Sequence, residues 1–342
     1  SRFVPTSLVV QTSFLGDMVL TTPLLRELAR RGPVDVVATP AASALLAGNP
    51  DVREVIAWDK RGGGRGIRGL VRLARRLRRS RYDVAYHAQG SARSSALTLL
   101  ARIPERVGFS TSAGRALYTR QVLYRDDRHH AERLLRLALG DEVALPRADA
   151  LRPRLFPGEE ERAAVDALLR NAGHDGGPLV AFAPGSVWAT KRWPYYPELA
   201  REAAAIGRIV VIGGTGDADL AAGIAASTRE PAIDATGRLS LLASAELIGR
   251  ARVLVTNDSA PQHLASAMGT PTVTVFGPTV PEFGFGPLAP GSVAVGHEAL
   301  ACRPCDRHGP QRCPLGHWRC MRETTVEQVA GAVERVTRTN SE

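Results

Sequence analysis

Lysine is nearly missing from this chain. Among the 44 lysines and arginines in 342 residues, Lys60 and Lys191 are the only lysines. Aromatic residues make up 5%, too few for an interior of stacked rings; a core of Ala, Leu, Val and Ile is left, which suits an α/β protein. No apolar run reaches 18 residues, so nothing reads as a transmembrane helix. Ser1 to Pro5 do not resemble a signal peptide, although a first residue that is Ser rather than Met leaves a trimmed N-terminus open. Nucleic-acid motifs and an aromatic stacking platform are also lacking, which sets nucleic acid aside as a partner.

The basic residues are in excess, with a formal charge of +10. An arginine-rich composition with no specific partner explains this as well as an acidic partner does, whether a phosphorylated lipid or an anionic membrane surface. Part of the charge lies between Lys60 and Arg81, where Leu70, Val71, Leu73, Ala74 and Leu77 keep helical spacing. A basic amphipathic helix of this kind can sit on a membrane; an ordinary surface helix with solvated arginines is the alternative. In so arginine-biased a chain, a retained lysine marks a place that needs a compact ammonium, unless the two survive by chance.

The length favours two domains. Strand-like SLVVQ (Ser7 to Gln11), VDVVATP (Val34 to Pro40) and YDVAYHAQG alternate with helical stretches at about Asp17 to Arg31 and Arg68 to Arg79. After a charged helix, Glu159 to Asn171, and the loop AGHDGGP, the pattern restarts. PLVAFAPGS, RIVVIGGTGD, ARVLVTNDS and a final strand TPTVTVFGPT alternate with helices at Pro194 to Ile206, Leu239 to Gly249 and Pro261 to Met268. Alternation of this kind predicts parallel sheets covered by helices. The expectation is two Rossmann-like domains, 1–172 and 173–323, facing a cleft at the carboxyl ends of the strands.

Four loops at strand ends carry polar chemistry. In TSFLGDMVLTTPLL, Gly16 permits a tight turn and Asp17 is expected at a helix N-cap; capping alone explains it, while a general base is the functional alternative. In APGSVWATKRWP, Gly185 and Ser186 offer donors to a phosphate, and Lys191 a point charge. IGGTGDAD departs from the dinucleotide fingerprint, because Asp219 stands where the third glycine belongs; Asp217 is placed to accept bonds from a ribose. The pair Asp217 and Asp219 also has the D-x-D spacing of a metal site, a weak signal. In TNDSAPQHLASAMGTPTVTVFGPTVP, Asp258 or Ser259 caps a helix with Pro261 in its first turn. The free N–H groups and dipole there favour a diphosphate, within reach of His263.

All four cysteines fall within one short stretch, Cys302, Cys305, Cys313 and Cys320, spaced C-x2-C-x7-C-x6-C with His308 and His317 among them. Four thiolates so grouped suit a structural zinc ion; two disulfides are the alternative.

Together GDMVLTTPLL, APGSVWATKRWP, NDSAPQHLASAMGTPTVTVFGPT and CRPCDRHGPQRCPLGHWRCM resemble glycosyltransferase family 9, the ADP-heptose:lipopolysaccharide heptosyltransferases, over nearly the whole chain. The resemblance implies the GT-B fold, with the nucleotide held mainly by the C-terminal domain and a last helix, at about 324–338, packed back on the first. It implies an inverting transfer of L-glycero-D-manno-heptose from ADP-heptose to the inner core of lipopolysaccharide. The cysteine-rich tail favours the second heptose, added to heptose I. It also implies Asp17 as the base and Lys191 at the leaving phosphates. Gly16, Gly185, Ser186, Thr190, Gly214, Asp217, Leu239, Asp258, Ser259, Ala260 and His263 would line the donor site. Lys60, Arg61, Arg93 and Arg120 would meet phosphates of a lipid A-Kdo-heptose acceptor. On the same resemblance, transfer needs no metal. The protein would be a cytoplasmic monomer, peripheral on the anionic inner-membrane surface. The alternatives are another GT-B sugar-nucleotide enzyme and a non-catalytic sugar-nucleotide-binding protein.

Overall fold

The computed structural model describes residues 4–60, 62, 64, 66–145, 147 and 149–339, the last by its backbone alone. The chain divides into two compact units, one ending at Phe156 and the other beginning at Pro157.

The first unit holds six parallel strands: β1 (Ser7–Gln11), β2 (Val34–Ala38), β3 (Glu54–Ala57), β4 (Val84–His87), β5 (Glu105–Phe109) and β6 (Arg120–Val122). They lie in the order β3-β2-β1-β4-β5-β6. β1 and β2 are buried along their whole length, as expected of central strands covered on both faces. Among the described residues, the helices that accompany them are α1 (Leu15–Ala29), α2 (Pro40–Ser43), α3 (Gly66–Ser80), α4 (Ala92–Leu100) and α5 (His130–Leu139). α1 packs on α5, and α3 packs on α4. The apolar stripe of α3, with Ala74 and Leu77 buried, closes a core with Leu8, Val10, Val37, Ile56 and Leu97. Truncating a fully buried leucine such as Leu77 to alanine costs about 2–5 kcal/mol.

Helix α1 runs through Pro23 without breaking. A proline there leaves the carbonyl four residues back, that of Val19, without its backbone donor. The Thr22 hydroxyl donates to that oxygen at 2.8 Å instead.

The second unit repeats the plan with β7 (Leu179–Ala183), β8 (Arg208–Val211), β9 (Ile233–Asp234), β10 (Val253–Asn257), β11 (Thr272–Phe276) and β12 (Val293–Gly296). Their order is β12-β11-β10-β7-β8-β9. Its helices are α6 (Glu159–Asn171), α7 (Tyr196–Ala203), α8 (Ala218–Ala225), α9 (Leu241–Arg250), α10 (Ala260–Met268), α11 (Arg319–Arg322) and α12 (Val326–Thr339). Counted from the first strand of each unit, both sheets have the order 3-2-1-4-5-6 of a doubly wound Rossmann sheet.

Three expectations are corrected. The break falls before α6, not after it, because α6 packs on α9 and Arg250 Nη1 donates to Asp166 Oδ1 at 2.5 Å. The last helix packs on α7 and the second sheet; Val329, Ala332, Val333 and Val336 share one core with Trp193, Tyr196 and Val275. TPTVTVFGPT is not the final strand, since β12 pairs in parallel with β11 beyond it.

Candidate active site

In a sheet of this order, the strand connections reverse direction beside the first strand, and the loops there part to leave a binding crevice. In the first unit this switch point lies between β1 and β4. The Thr12 hydroxyl, after β1, donates to Gln89 Oε1, after β4, at 2.7 Å. Asp17 follows, but not as the N-cap: Phe14 holds that position, and Asp17 lies within the first turn of α1 beside the buried Gly16. The Ser13 hydroxyl donates to Asp17 Oδ2 at 2.5 Å, and His130 Nε2, from α5, stands 3.7 Å from Oδ1. The carboxylate thus sits in the first turn of a helix, beside an imidazole.

Lys60 reaches the same place. Its Nζ donates to Thr12 Oγ1 at 2.7 Å and lies 4.7 Å from the centre of the Trp58 ring. Arg93 covers the same ring at 5.1 Å and donates to the Gly64 carbonyl at 2.8 Å. Burial and, secondarily, the Arg93 guanidinium bring the Lys60 ammonium down to about 8. Lys60 and Arg93 therefore form one basic corner. Arg120 is not brought to it: it is held by Glu105 at 3.2 Å and by the Leu137 carbonyl. Arg61 lies outside the described residues.

In the second unit the switch point lies between β7 and β10. Asn257, at the end of β10, ties the two loops by donating from Nδ2 to the Pro184 carbonyl at 2.8 Å. Its Oδ1 accepts from Trp193 N and the Tyr196 hydroxyl. Lys191 Nζ lies 2.7 Å from Asp258 Oδ2. That carboxylate also accepts from Thr279 Oγ1 at 2.7 Å and from Gln262 Nε2 at 2.9 Å. So occupied, the carboxylate holds the lysine ammonium beside the first turn of α10. Ser259 stands at the N-cap of α10, yet its side chain makes no capping bond; its Oγ donates to the Asn257 carbonyl at 3.3 Å. Ala260 opens the helix, and His263 in its first turn is buried.

Gly185 and Asp217 meet closely. A Cβ on Gly185 would press on the Asp217 carboxylate, so a side chain at residue 185 would displace that carboxylate. Asp217 ends a 3-10 turn, Thr215–Asp217, and accepts from Gly214 N at 2.9 Å. Ser186 Oγ accepts from Trp188 N. Leu239 is half-buried just before α9. The Thr190 hydroxyl is committed to the Pro310 carbonyl.

That last bond belongs to a brace. Gln311 exchanges hydrogen bonds with Val187 and Ala189, and His308 stacks on Trp188 at 6.4 Å. The cysteine-rich segment thereby supports the loop that carries Lys191. Its four cysteines are free thiols, and Cys302 Sγ lies 3.8 Å from His317 Nε2. Among the described residues no three His, Cys, Asp or Glu side chains are grouped to hold a metal ion. The donor set for the expected zinc ion is thus not assembled, nor is a disulfide. Burial, followed by the neighbouring Cys305, Cys313 and Cys302, pushes the Cys320 thiol up to about 11. Burial also acts upward on Cys313, but the backbone N–H groups of Trp318, Leu315, His317 and Gly316 outweigh it and bring that thiol below its usual range.

Two Rossmann-like sheets, with a helix N-terminus and a lysine at the second switch point, make the frame of a GT-B glycosyltransferase. The family model for glycosyltransferase family 9 (heptosyltransferase) matches residues 70–316, and the chain belongs to that family. Lipopolysaccharide heptosyltransferase 2 of Salmonella typhimurium is 32% identical over 296 residues, covering 81% of this chain and 84% of the relative. Among solved structures, the Escherichia coli ADP-heptose lps heptosyltransferase II superposes with a TM-score of 0.79 at 26% identity, over 98% of this chain and 100% of that one. A family 9 glycosyl transferase from Veillonella parvula superposes at 0.86 with 24% identity, over 99% of each chain; that likeness supports the fold.

The motifs pointed to most of these residues. His130, Thr12, Ser94 and Thr279 were missed. The Ser94 hydroxyl accepts from Lys60 Nζ at 3.4 Å, and Thr12 and Thr279 lie inside the quoted motifs, where a strand-end hydroxyl is the available signal.

Proposed function

We propose that the protein transfers L-glycero-D-manno-heptose from ADP-heptose to the inner core of lipopolysaccharide, adding the second heptose to heptose I. The observation that carries this reading is the Asp17 carboxylate flanked by Ser13 and His130, in a chain whose other switch point holds a lysine at a helix N-terminus. Two of the relatives found are heptosyltransferases of the second type.

In the proposed reaction, Asp17 takes the proton from an acceptor hydroxyl. The oxygen attacks the anomeric carbon from the face opposite the leaving group, so the configuration inverts. The bond from that carbon to the diphosphate oxygen breaks, and ADP leaves with the bonding pair. Lys191 and the first N–H groups of α10, beginning at Ala260, stabilise the charge that develops on the diphosphate. Gly185, Ser186 and Gly214 line its approach. Asp217 takes the ribose, Leu239 borders the adenine and His263 contacts the sugar-diphosphate. Lys60 and Arg93 receive a phosphate of the acceptor, whose lipid puts the work at the cytoplasmic face of the inner membrane.

The test is ADP release from ADP-heptose with Kdo₂-lipid A and its heptosylated form side by side. Turnover on the heptosylated form alone supports the reading. Turnover on Kdo₂-lipid A instead makes it a first-heptose enzyme, and donor binding without turnover on either replaces the reading with a sugar-nucleotide-binding protein.

A further inference from the structure

We propose that the solvent face of α3, continued onto the end of α4, is a docking surface for an anionic lipid bilayer, bound mainly through charge. From Lys60 to Tyr82 the chain contains no Asp or Glu. Arg68, Arg72, Arg75 and Arg79 are all exposed along α3, and the stripe formed with Ile67, Val71 and Arg76 borders a hollow of about 640 Å³. Arg76 reaches Glu54 at 2.5 Å. Among the described residues, the other four have no carboxylate within ion-pair distance. Some arginines elsewhere are matched to acids, as in Arg53–Asp35, Arg136–Glu132 and Arg250–Asp166, and others are not. What sets α3 apart is that its exposed arginines follow one another along a single face within an acid-free run.

The stripe does not end with the helix. Arg75 and Arg79 also border a second hollow, of about 790 Å³, together with Arg81 and Arg102. The one carboxylate on its wall, Asp83, already accepts from Thr6 N at 2.8 Å. The α4 terminus beside it exposes Leu99 and Leu100, and the other end of α3 exposes Ile67. Arginines rimmed by exposed aliphatic side chains match a charged surface with an apolar layer behind it; no aromatic platform for bases accompanies them. The apolar stripe of α3 is already used in the core. The helix therefore cannot turn that stripe into the bilayer, so attachment is electrostatic, with Ile67, Leu99 and Leu100 as shallow contacts.

The stripe starts next to the basic corner, because Arg93 donates to the carbonyls of Gly64 and Gly66 at the head of α3. A bilayer lying on α3 would present a lipid-borne phosphate near Lys60. This last point rests on the proposed function; the docking does not.

The experiment is flotation of the full chain with phosphatidylcholine vesicles, with and without phosphatidylglycerol. Wild type is expected to bind the anionic vesicles at least about tenfold more tightly, and added salt should weaken that binding. Arg68→Glu/Arg72→Glu/Arg75→Glu/Arg79→Glu should lose the preference. The same four positions changed to Lys should keep it, which separates charge from a folding defect. Leu99→Ser/Leu100→Ser should weaken binding by a smaller factor. ADP release with a delipidated, water-soluble acceptor should be unchanged in the Glu variant. Equal binding to neutral vesicles, a Glu variant that floats like wild type, or tighter binding to a DNA duplex than to anionic vesicles would overturn the proposal. Vesicle binding with no turnover on any acceptor would leave docking intact and remove the proposed function.

Discussion

Asp17 and Asp258 stand beside the switch points of their respective units, and their surroundings are opposite. Asp258 is saturated: a lysine, a threonine hydroxyl and a glutamine amide donate to its two oxygens. Asp17 accepts from the Ser13 hydroxyl and stands 3.7 Å from the His130 imidazole, among its contacts. Both side chains are mostly shielded, at 18% and 11% exposed, so burial does not separate them. The ammonium beside Asp258 is a fixed cation, whereas the imidazole beside Asp17 belongs to a side chain type that can exchange a proton.

The sharpest way to break this comparison is to remove the proposed base. Asp17→Asn should lower the ADP-release rate by about 10²–10⁴-fold while calorimetry shows ADP binding intact; near-normal turnover would move the base elsewhere. Next in size is Lys191→Met, expected to cost about 10²–10³ in rate. It also leaves Asp258 buried without its cation, a loss of about 3–5 kcal/mol, visible as a lower thermal midpoint. Asp17→Asn should show no such drop, and equal midpoints for the two variants would contradict the contrast.

His130→Phe should lower turnover by about tenfold, equivalent to about 1.4 kcal/mol, and change the pH–rate profile without changing ADP affinity. An unchanged profile would make His130 a packing residue only. The smallest effect concerns Lys60. Its ammonium is brought down to about 8, so acceptor KM should rise as pH passes from 7 to 9, and Lys60→Met should flatten that rise. The stability sign runs the other way. Between about 8 and the ordinary lysine range the unfolded chain binds more protons than the folded one, so this group's cost to folding diminishes as pH rises. Lys60→Met should therefore gain stability over wild type most clearly below pH 8.

Much of the frame was legible because central strands such as SLVVQ and VLVTN are short apolar runs between turn residues. β12 was not: it is only partly buried, and nothing in VAVG distinguishes it from a loop. The loop AGHDGGP looks like a linker, but Val165 and Leu169 of the preceding helix are buried, and the contacts that bury them come from α9, far along the chain. The site followed the same rule. Asp17 announced itself within a motif. Its neighbour His130 is brought close only by the packing of α5 on α1. The tie between Lys191 and Asp258 spans 67 positions, and no local pattern shows that the acid holds the lysine.

The contact of Gly185 with Asp217 has a consequence for how this chain can drift. Every amino acid reachable from a glycine codon by one base change carries a Cβ, and that atom would fall within 2.6 Å of both Asp217 carboxylate oxygens. Gly213 is held by the same carboxylate, 2.6 Å from the Cβ it lacks. A side chain at either position would push the Asp217 carboxylate out of its bond with Gly214 N, so change at these glycines is coupled to change at Asp217.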